Sequence, residues 1–131
     1  MKIGIDIDGT ITHAPGFFRL LTHALHGRPG VKIHILTARG GPLCWEHEEV
    51  VKNTIVELRE LDIRYDTLAC VGLGAKVAYI KKHRLDVMFD DTDEEVLRAP
   101  KRCTVFKIRE AMNFCWDTNR WLRSDETSVS I

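Results

Sequence analysis

The sequence contains no long apolar run and no excess of charge of either sign. Its apolar stretches all fall short of the roughly 20 residues that a helix needs to cross a bilayer, so we expect no membrane partner. Lysine plus arginine and aspartate plus glutamate each number 19, which gives a formal net charge of zero. Proteins that hold long nucleic acids through bulk electrostatics are normally basic, and this class of function is therefore disfavoured.

Closely spaced cysteines and a secretory leader are also lacking. A zinc site needs ligands in close pairs, and the chain has no C-x-x-C pair and no paired histidine spacing typical of zinc. Acidic residues stand near the start of the chain, where a signal peptide would need its apolar region. We therefore expect a cytoplasmic protein with four free thiols, at Cys44, Cys70, Cys103 and Cys115.

The length and composition are those of one globular domain. The 131 residues include 44% hydrophobic and 29% charged residues, which is ordinary for a folded chain and unlike a disordered one. We expect a single domain over residues 1–123 and a flexible polar tail over residues 124–131.

Short β-rich runs alternate with helical stretches along the chain. Because the runs are almost continuously apolar, this alternation predicts an α/β fold: a three-layer, Rossmann-like arrangement in which helices cover both faces of a five-stranded, mainly parallel sheet. The predicted strands are residues 3–7, 31–36, 67–71, 86–89 and 102–108, and the predicted helices are residues 17–26, 45–61, 75–83 and 116–123.

Polar residues that could take part in catalysis or metal binding follow several of the predicted strands. In an open parallel sheet, ligands bind beyond the carboxyl ends of the strands. Residues at three predicted strand ends, and one at the start of a helix, should therefore converge on one edge. They are Asp6, Asp8, Thr37, Lys76, Asp90 and Asp91.

The residue types in this group favour phosphoryl transfer. Several carboxylates in one crevice repel each other and require a compensating cation, for which Mg²⁺ is the usual choice beside a phosphate. Lys76 would add a second positive charge, and Gly9 would let the backbone turn sharply and approach a ligand. Positioning and charge neutralisation are the main requirements of phosphoryl transfer.

The same residues carry a resemblance to a known family. The run Asp6-Ile7-Asp8-Gly9-Thr10, followed in order by Thr37, Lys76 and the pair Asp90-Asp91, resembles the four motifs of the haloacid dehalogenase-like (HAD) hydrolase superfamily. The resemblance covers the chain from the first motif to the fourth. The second aspartate of the first motif is typical of the phosphatases and mutases of the family, which makes a dehalogenase improbable.

The resemblance implies a role for each motif. Asp6 would be the nucleophile that forms an aspartyl-phosphate, and Asp8 would be the acid and base. Thr37 would hydrogen-bond the phosphoryl oxygens, and Lys76 would hold the phosphoryl group and the nucleophile together. The cofactor would be Mg²⁺.

The metal would be held by the first and fourth motifs. The resemblance implies a carboxylate oxygen of Asp6, the backbone carbonyl of Asp8 and an acid of the fourth motif as ligands. Of the fourth-motif acids, Asp91 is expected to face the metal directly, and Asp90 to act through a metal-bound water.

Substrate binding is expected from the residues beside the first two motifs, Gly9, Thr10, Ala38 and Arg39. The stretch from Thr37 to Arg39 resembles the second motif of nucleotidase and polynucleotide 3′-phosphatase relatives. Arg39 is suited to hold a second phosphate or a carboxylate in a bidentate fork, and equally suited to a surface salt bridge.

The chain has no room between its motifs for the cap domain of many family members. The resemblance therefore implies a capless phosphatase, which we expect to act on a small phosphate ester such as a nucleotide or a sugar phosphate. A phosphatase acting on nucleic-acid ends is the alternative. A small substrate would favour a homo-oligomer in which a neighbouring subunit closes the site, with the patch between Trp116 and Trp121 as a candidate interface.

A phosphate-accepting receiver-type signalling domain is the rival from a different class. Receiver domains share with this chain their size, an acidic pair, a threonine and a lysine. Its phosphoacceptor, however, ends the third strand, where this chain has Cys70 and Val71, and its lysine follows the threonine at the last strand. The order of the residues therefore disfavours this function.

Overall fold

The centre of the protein is a single sheet of five parallel strands. The computed structural model describes residues 1–92, 98–109 and 114–122. The sheet has the strand order β3-β2-β1-β4-β5, the order of a Rossmann-type sheet, and no cap domain is evident in the described ranges. The strands are β1 (Lys2–Ile5), β2 (Lys32–Thr37), β3 (Thr67–Cys70), β4 (Val87–Asp90) and β5 (Thr104–Lys107). The predicted α/β fold is confirmed.

In the ranges that the structure describes, the sheet is covered by the α-helices α1 (Pro15–Leu25), α2 (His47–Glu60) and α3 (Lys76–His83). Phe18 of α1 and Leu58 of α2 are fully buried in one apolar cluster with the isoleucines of β1 and β2. On the opposite face, Ile80 of α3 packs with Leu36 and Met88 in a second cluster. Each face of the sheet packs against its helices through its own apolar cluster, and the fold therefore has three layers.

The paired strands β1 and β2 present four isoleucines to one face of the sheet. Ile3 lies beside Ile33 and Ile5 lies beside Ile35, and all four side chains are buried. Complete burial of such a side chain contributes about 1.5–3 kcal/mol. The residues between them, Gly4 and His34, are also buried, because helices cover both faces of the sheet.

The order of the strands creates a crevice between β1 and β4. From β1 the chain moves outward to β2 and β3, and it then returns through α3 to pair β4 with the other side of β1. The connections that follow β1 and β4 therefore leave in opposite directions. In sheets of this kind such a switch point is where ligands bind.

Most predicted elements are present, with boundaries shifted by at most two residues. The first strand ends at Ile5, because the chain enters a tight helical turn over Ile7–Ile11 in which Gly9 has φ +79°. No helix in the described ranges is long and apolar enough to cross a bilayer. All four cysteines are free thiols, as predicted.

The predicted last helix is wrong. Residues 114–121 form an antiparallel hairpin of β6 (Phe114–Cys115) and β7 (Arg120–Trp121) instead. The connecting turn contains aspartate, threonine and asparagine, which favour turns, and Asn119 has φ +52°. Trp116 is 82% exposed, so it does not pack on the sheet. The predicted tail (124–131) and the acidic run after the fourth motif (93–95) lie outside the described residues.

One buried histidine makes the stability of the fold dependent on pH. The Nδ1 atom of His34 lies 2.7 Å from the Tyr79 hydroxyl, and the Tyr79 ring stacks on His83. Burial, reinforced by the nearby His83 and Lys2, lowers the pKa of His34 below its ordinary value of 6.5. Near and below that pH, His34 is therefore protonated to a greater extent in the unfolded chain than in the folded protein.

We expect the contribution of His34 to the free energy of unfolding to fall as the pH drops below about 6.5, by at most about 1.4 kcal/mol per pH unit. Asp6, whose pKa is raised to about 7 in the folded protein, has the opposite effect over this range but is present in both proteins compared. Urea unfolding of the protein and of His34→Gln, each at neutral pH and at about pH 5.5, measures the effect. Glutamine keeps a hydrogen-bonding group opposite Tyr79 but does not titrate, so the stability of the protein relative to the variant should fall between the two pH values. An equal change of stability in both proteins would contradict the prediction.

Candidate active site

Asp6 is fixed at the point where β1 ends. Its backbone N–H donates to the carbonyl of Phe89 at 3.0 Å, which extends the pairing of β1 with β4 by one residue. The next residues fold back in the tight turn, and the Thr10 hydroxyl donates to Asp6 Oδ2 at 3.1 Å. Both side chains are buried. Thr10, predicted to bind substrate, thus lies against the predicted nucleophile.

Gly9 is required by its backbone and by its neighbour. It has φ +79°, a region that favours glycine, and its N–H donates to the Thr12 hydroxyl at 2.9 Å. A Cβ atom at this position would overlap the carboxylate of Asp91. The absence of a side chain at Gly9 therefore lets the loop after β4 approach the loop after β1.

Lys76 lies between two buried carboxylates. It is the first residue of α3, and its Nζ donates to Asp6 Oδ1 at 2.7 Å and to Asp90 Oδ2 at 2.9 Å. All three residues are at most 3% exposed. The ammonium compensates charges from the ends of β1 and β4, and it thereby joins the first, third and fourth sequence motifs.

The protonation of this cluster reflects both burial and charge. Burial raises the pKa of Asp6 to about 7, against the opposing effect of the Lys76 ammonium and with a further increase from Asp90. Burial lowers the pKa of Lys76, but the two carboxylates outweigh burial and raise that pKa above its ordinary value. The lysine therefore stays charged and a proton on Asp6 becomes accessible near neutral pH.

Asp91 completes a group of three carboxylates. Each of Asp6, Asp90 and Asp91 offers an oxygen, and these three oxygens lie within 4.8 Å of one another. The oxygens of Asp90 accept hydrogen bonds from Lys76 and from the backbone N–H of Thr92, whereas the carboxylate of Asp91 packs against Gly9. Three carboxylates with one lysine leave negative charge to be neutralised, so the donor set suits a hard divalent cation such as Mg²⁺.

Thr37 ends β2 at the same edge of the sheet. Its side chain is buried, and its hydroxyl oxygen accepts a hydrogen bond from the backbone N–H of Arg39 at 3.2 Å. A hydroxyl that accepts in this way has its hydrogen to donate to a phosphoryl oxygen. Ala38 lies half-buried between the two residues.

Arg39 binds two carboxylates from different elements. Its guanidinium donates to Asp8 in a bidentate pair, from Nε at 2.9 Å and from Nη2 at 2.7 Å. It also donates to Glu57 on α2, from Nη1 at 2.5 Å and from Nη2 at 3.3 Å, and to the Thr54 hydroxyl at 3.4 Å. These contacts engage all five N–H groups of the side chain.

Arg39 forms salt bridges, which the sequence left open as the alternative to binding a substrate anion. A substrate anion would have to displace Asp8 or Glu57 from Arg39, so the substrate-binding role of Arg39 stays a prediction. Hydrogen bonds from Arg39 lower the pKa of Asp8 and favour its carboxylate form. The sequence analysis missed Glu57 and Thr54, although their spacing of three residues puts both on one stripe of α2.

Comparison of the chain with known protein families, with curated proteins and with solved structures gives no match.

We expect Lys76→Met to destabilise the protein by about 3–5 kcal/mol when a chelator removes divalent cations, because two buried carboxylates then lose their shared cation. The control is Lys81→Met on the same helix, where the side chain is exposed. Urea unfolding of both variants measures the difference. If Lys76→Met loses no more stability than Lys81→Met, the buried ion cluster does not stabilise the fold.

Proposed function

We propose that the protein is a Mg²⁺-dependent phosphomonoesterase that acts through an aspartyl-phosphate on Asp6. The observation that carries the proposal is the position of the Lys76 ammonium, 2.7 Å from Asp6 and 2.9 Å from Asp90, at the switch point of a Rossmann-like sheet. A nucleophile, a fixed cation and a group of metal-binding oxygens then share one crevice, which is the set of parts that phosphoryl transfer requires.

The metal would be held by the carboxylates of Asp6 and Asp91 and by the backbone carbonyl of Asp8. Mg²⁺, when bound, neutralises negative charge on the phosphoryl group and on the carboxylates. Lys107 supports this arrangement, because its ammonium donates to the backbone carbonyl of Asp91 and holds the loop after β4. Asp90 accepts short hydrogen bonds at both oxygens, from Lys76 at 2.9 Å and from the Thr92 N–H at 2.8 Å, whereas Asp91 accepts a longer one from the Thr92 hydroxyl at 3.4 Å, and this comparison favours Asp91 over Asp90 as the direct ligand.

The proposed reaction has two steps. A carboxylate oxygen of Asp6 bonds to phosphorus while the bond to the leaving oxygen breaks, and that oxygen takes a proton from Asp8. A water then attacks the phosphorus, Asp8 accepts its proton, and the bond from phosphorus to Asp6 breaks to release inorganic phosphate. Thr37 and Lys76 bind the phosphoryl oxygens in both steps.

The carboxylate form of Asp8, which Arg39 favours, is the form that the second step needs, whereas the first step requires Asp8 to take up a proton from solvent against the effect of Arg39. Because Asp8 is paired with Arg39 at two atoms, its carboxylate has a fixed direction although its side chain is 63% exposed. Such exposure leaves the acid and base within reach of substrate and water. We therefore assign Arg39 and Glu57 to the positioning of Asp8.

The substrate we propose is a small phosphate ester, a nucleotide or a sugar phosphate. The crevice has no cap domain above it in the described ranges, and the zero net charge offers little attraction for a long polyanion. A receiver-like function is disfavoured, because sheets of that kind have the order 2-1-3-4-5 whereas this sheet has the order 3-2-1-4-5.

We expect the protein to release phosphate from a simple aryl phosphate in the presence of Mg²⁺, and a chelator or Asp6→Asn to abolish this activity. Asp62→Asn is the matched control, since Asp62 is an exposed residue at φ +56°, where asparagine is readily accommodated. Initial rates of phosphate release measure the effect. Turnover by Asp6→Asn at the rate of the control would exclude Asp6 as the nucleophile.

We expect Asp8→Asn to lower the rate by roughly 10² or more, the usual contribution of a positioned acid and base, without a comparable loss of stability. Glu57→Gln is the comparison, because it weakens the support of Arg39 but leaves the Asp8 carboxyl group in place. Its rate should fall less. A rate loss in Asp8→Asn that merely follows a collapse of the melting temperature would identify Asp8 as a structural residue.

A further inference from the structure

We propose that an apolar cavity between the loops after β2 and β3 binds an aromatic ring on the leaving group of the substrate. This inference rests on the proposed phosphatase function and narrows its substrates to phosphate esters that carry an aryl ring or a nucleobase. The cavity has a volume of about 540 Å³ and is formed by the loops after β2 and β3. Its lining is Gly41, Pro42, Leu43, Cys44, Val71, Gly72, Leu73 and Ala75.

The cavity adjoins the site through two connections. The N–H of Val71, which lines the cavity, donates to the backbone carbonyl of Thr37 at 3.0 Å. Ala75, which also lines it, directly precedes Lys76. A phosphoryl group held by Thr37 and Lys76 therefore has this cavity on the β3 side, where its leaving group can extend.

The chemistry of the lining selects the kind of group that it can hold. None of the lining side chains is charged and none has a hydroxyl or an amide. At the rim, the Cys44 N–H donates to the Gly41 carbonyl at 2.9 Å. The lining side chains offer a polyol no replacement for its hydrogen bonds to water, whereas an apolar ring would gain contacts with them.

The two leucines of the cavity are unusually exposed. Leu43 is fully exposed at 102% and Leu73 is 93% exposed, and both point from loops at the mouth of one cavity. Grouped exposed apolar side chains indicate a binding surface more often than single ones do. Leu20 on α1, 70% exposed and not part of this cavity, is suitable for comparison.

The loops that form the cavity are packed against each other. A Cβ atom on Gly41 would lie 2.8 Å from the carbonyl oxygen of Val71, and Gly72 has φ +87°. The close backbone contact needs glycine on both sides. It holds the cavity open without a ligand, which lowers the cost of ordering the loops when a ring binds.

The test compares the double variant Leu43→Ser, Leu73→Ser with Leu20→Ser. Catalytic efficiency is measured with an aryl phosphate, a nucleoside monophosphate and glycerol phosphate. We expect the double variant to lose on the order of tenfold for one or both ring-bearing esters and to keep its rate with glycerol phosphate. Leu20→Ser should match the unaltered protein throughout. An equal loss of catalytic efficiency on all three esters, or no loss on any, would overturn the proposal that the cavity binds a ring.

A second measurement separates this inference from the proposed function. Nuclear magnetic resonance titration with phenol and with a nucleoside reports ring binding without any phosphate chemistry. If no ester is hydrolysed but the two leucines still control ring binding, the phosphatase function fails and the ring site stands. Size exclusion tests the alternative that Leu43 and Leu73 form a subunit interface. If the protein is a dimer, the double variant is a monomer and the preference for ring-bearing esters is unchanged, the two leucines form an interface and the proposed ring-binding site is overturned.

Discussion

The ammonium of Lys76 between Asp6 and Asp90 is the interaction on which the site depends. Two carboxylates buried at neighbouring strand ends would repel each other, and an ionised carboxylate is costly to bury without a partner. A single lysine at the start of α3 bonds one oxygen of each. It also leaves Asp91 as excess negative charge beside them, and this excess gives the crevice its capacity for a divalent cation.

The topology explains why these residues meet although they are far apart in the sequence. The return of the chain through α3 puts β4 beside β1, so that Asp6 and the residues after Phe89 occupy one edge. Gly9 then permits the loops to approach, because a side chain there would overlap Asp91. The sheet order, one helix start and one glycine are thus sufficient to build the centre of the site.

The parts of the structure that follow from local patterns were predictable from the sequence. Apolar runs identified the strands, and the rule on the carboxyl ends of parallel strands brought Asp6, Thr37, Lys76 and Asp90 to one edge. The contact of Arg39 with Glu57 was not predictable, because it depends on how α2 packs against the loop after β2. The hairpin over residues 114–121 was missed, since its turn residues lie within an aromatic-rich pattern that also fits a short helix.

Covalent phosphorylation of Asp6 is the step that distinguishes the proposed mechanism. To detect it, the protein is incubated with Mg²⁺ and an aryl phosphate, quenched in acid and reduced with borohydride, and its peptides are sequenced by mass spectrometry. An aspartyl-phosphate is reduced to homoserine, so we expect homoserine at position 6 only in samples that received both Mg²⁺ and substrate. Phosphate release with an unmodified Asp6, or with homoserine at position 8 or 90 instead, would contradict it.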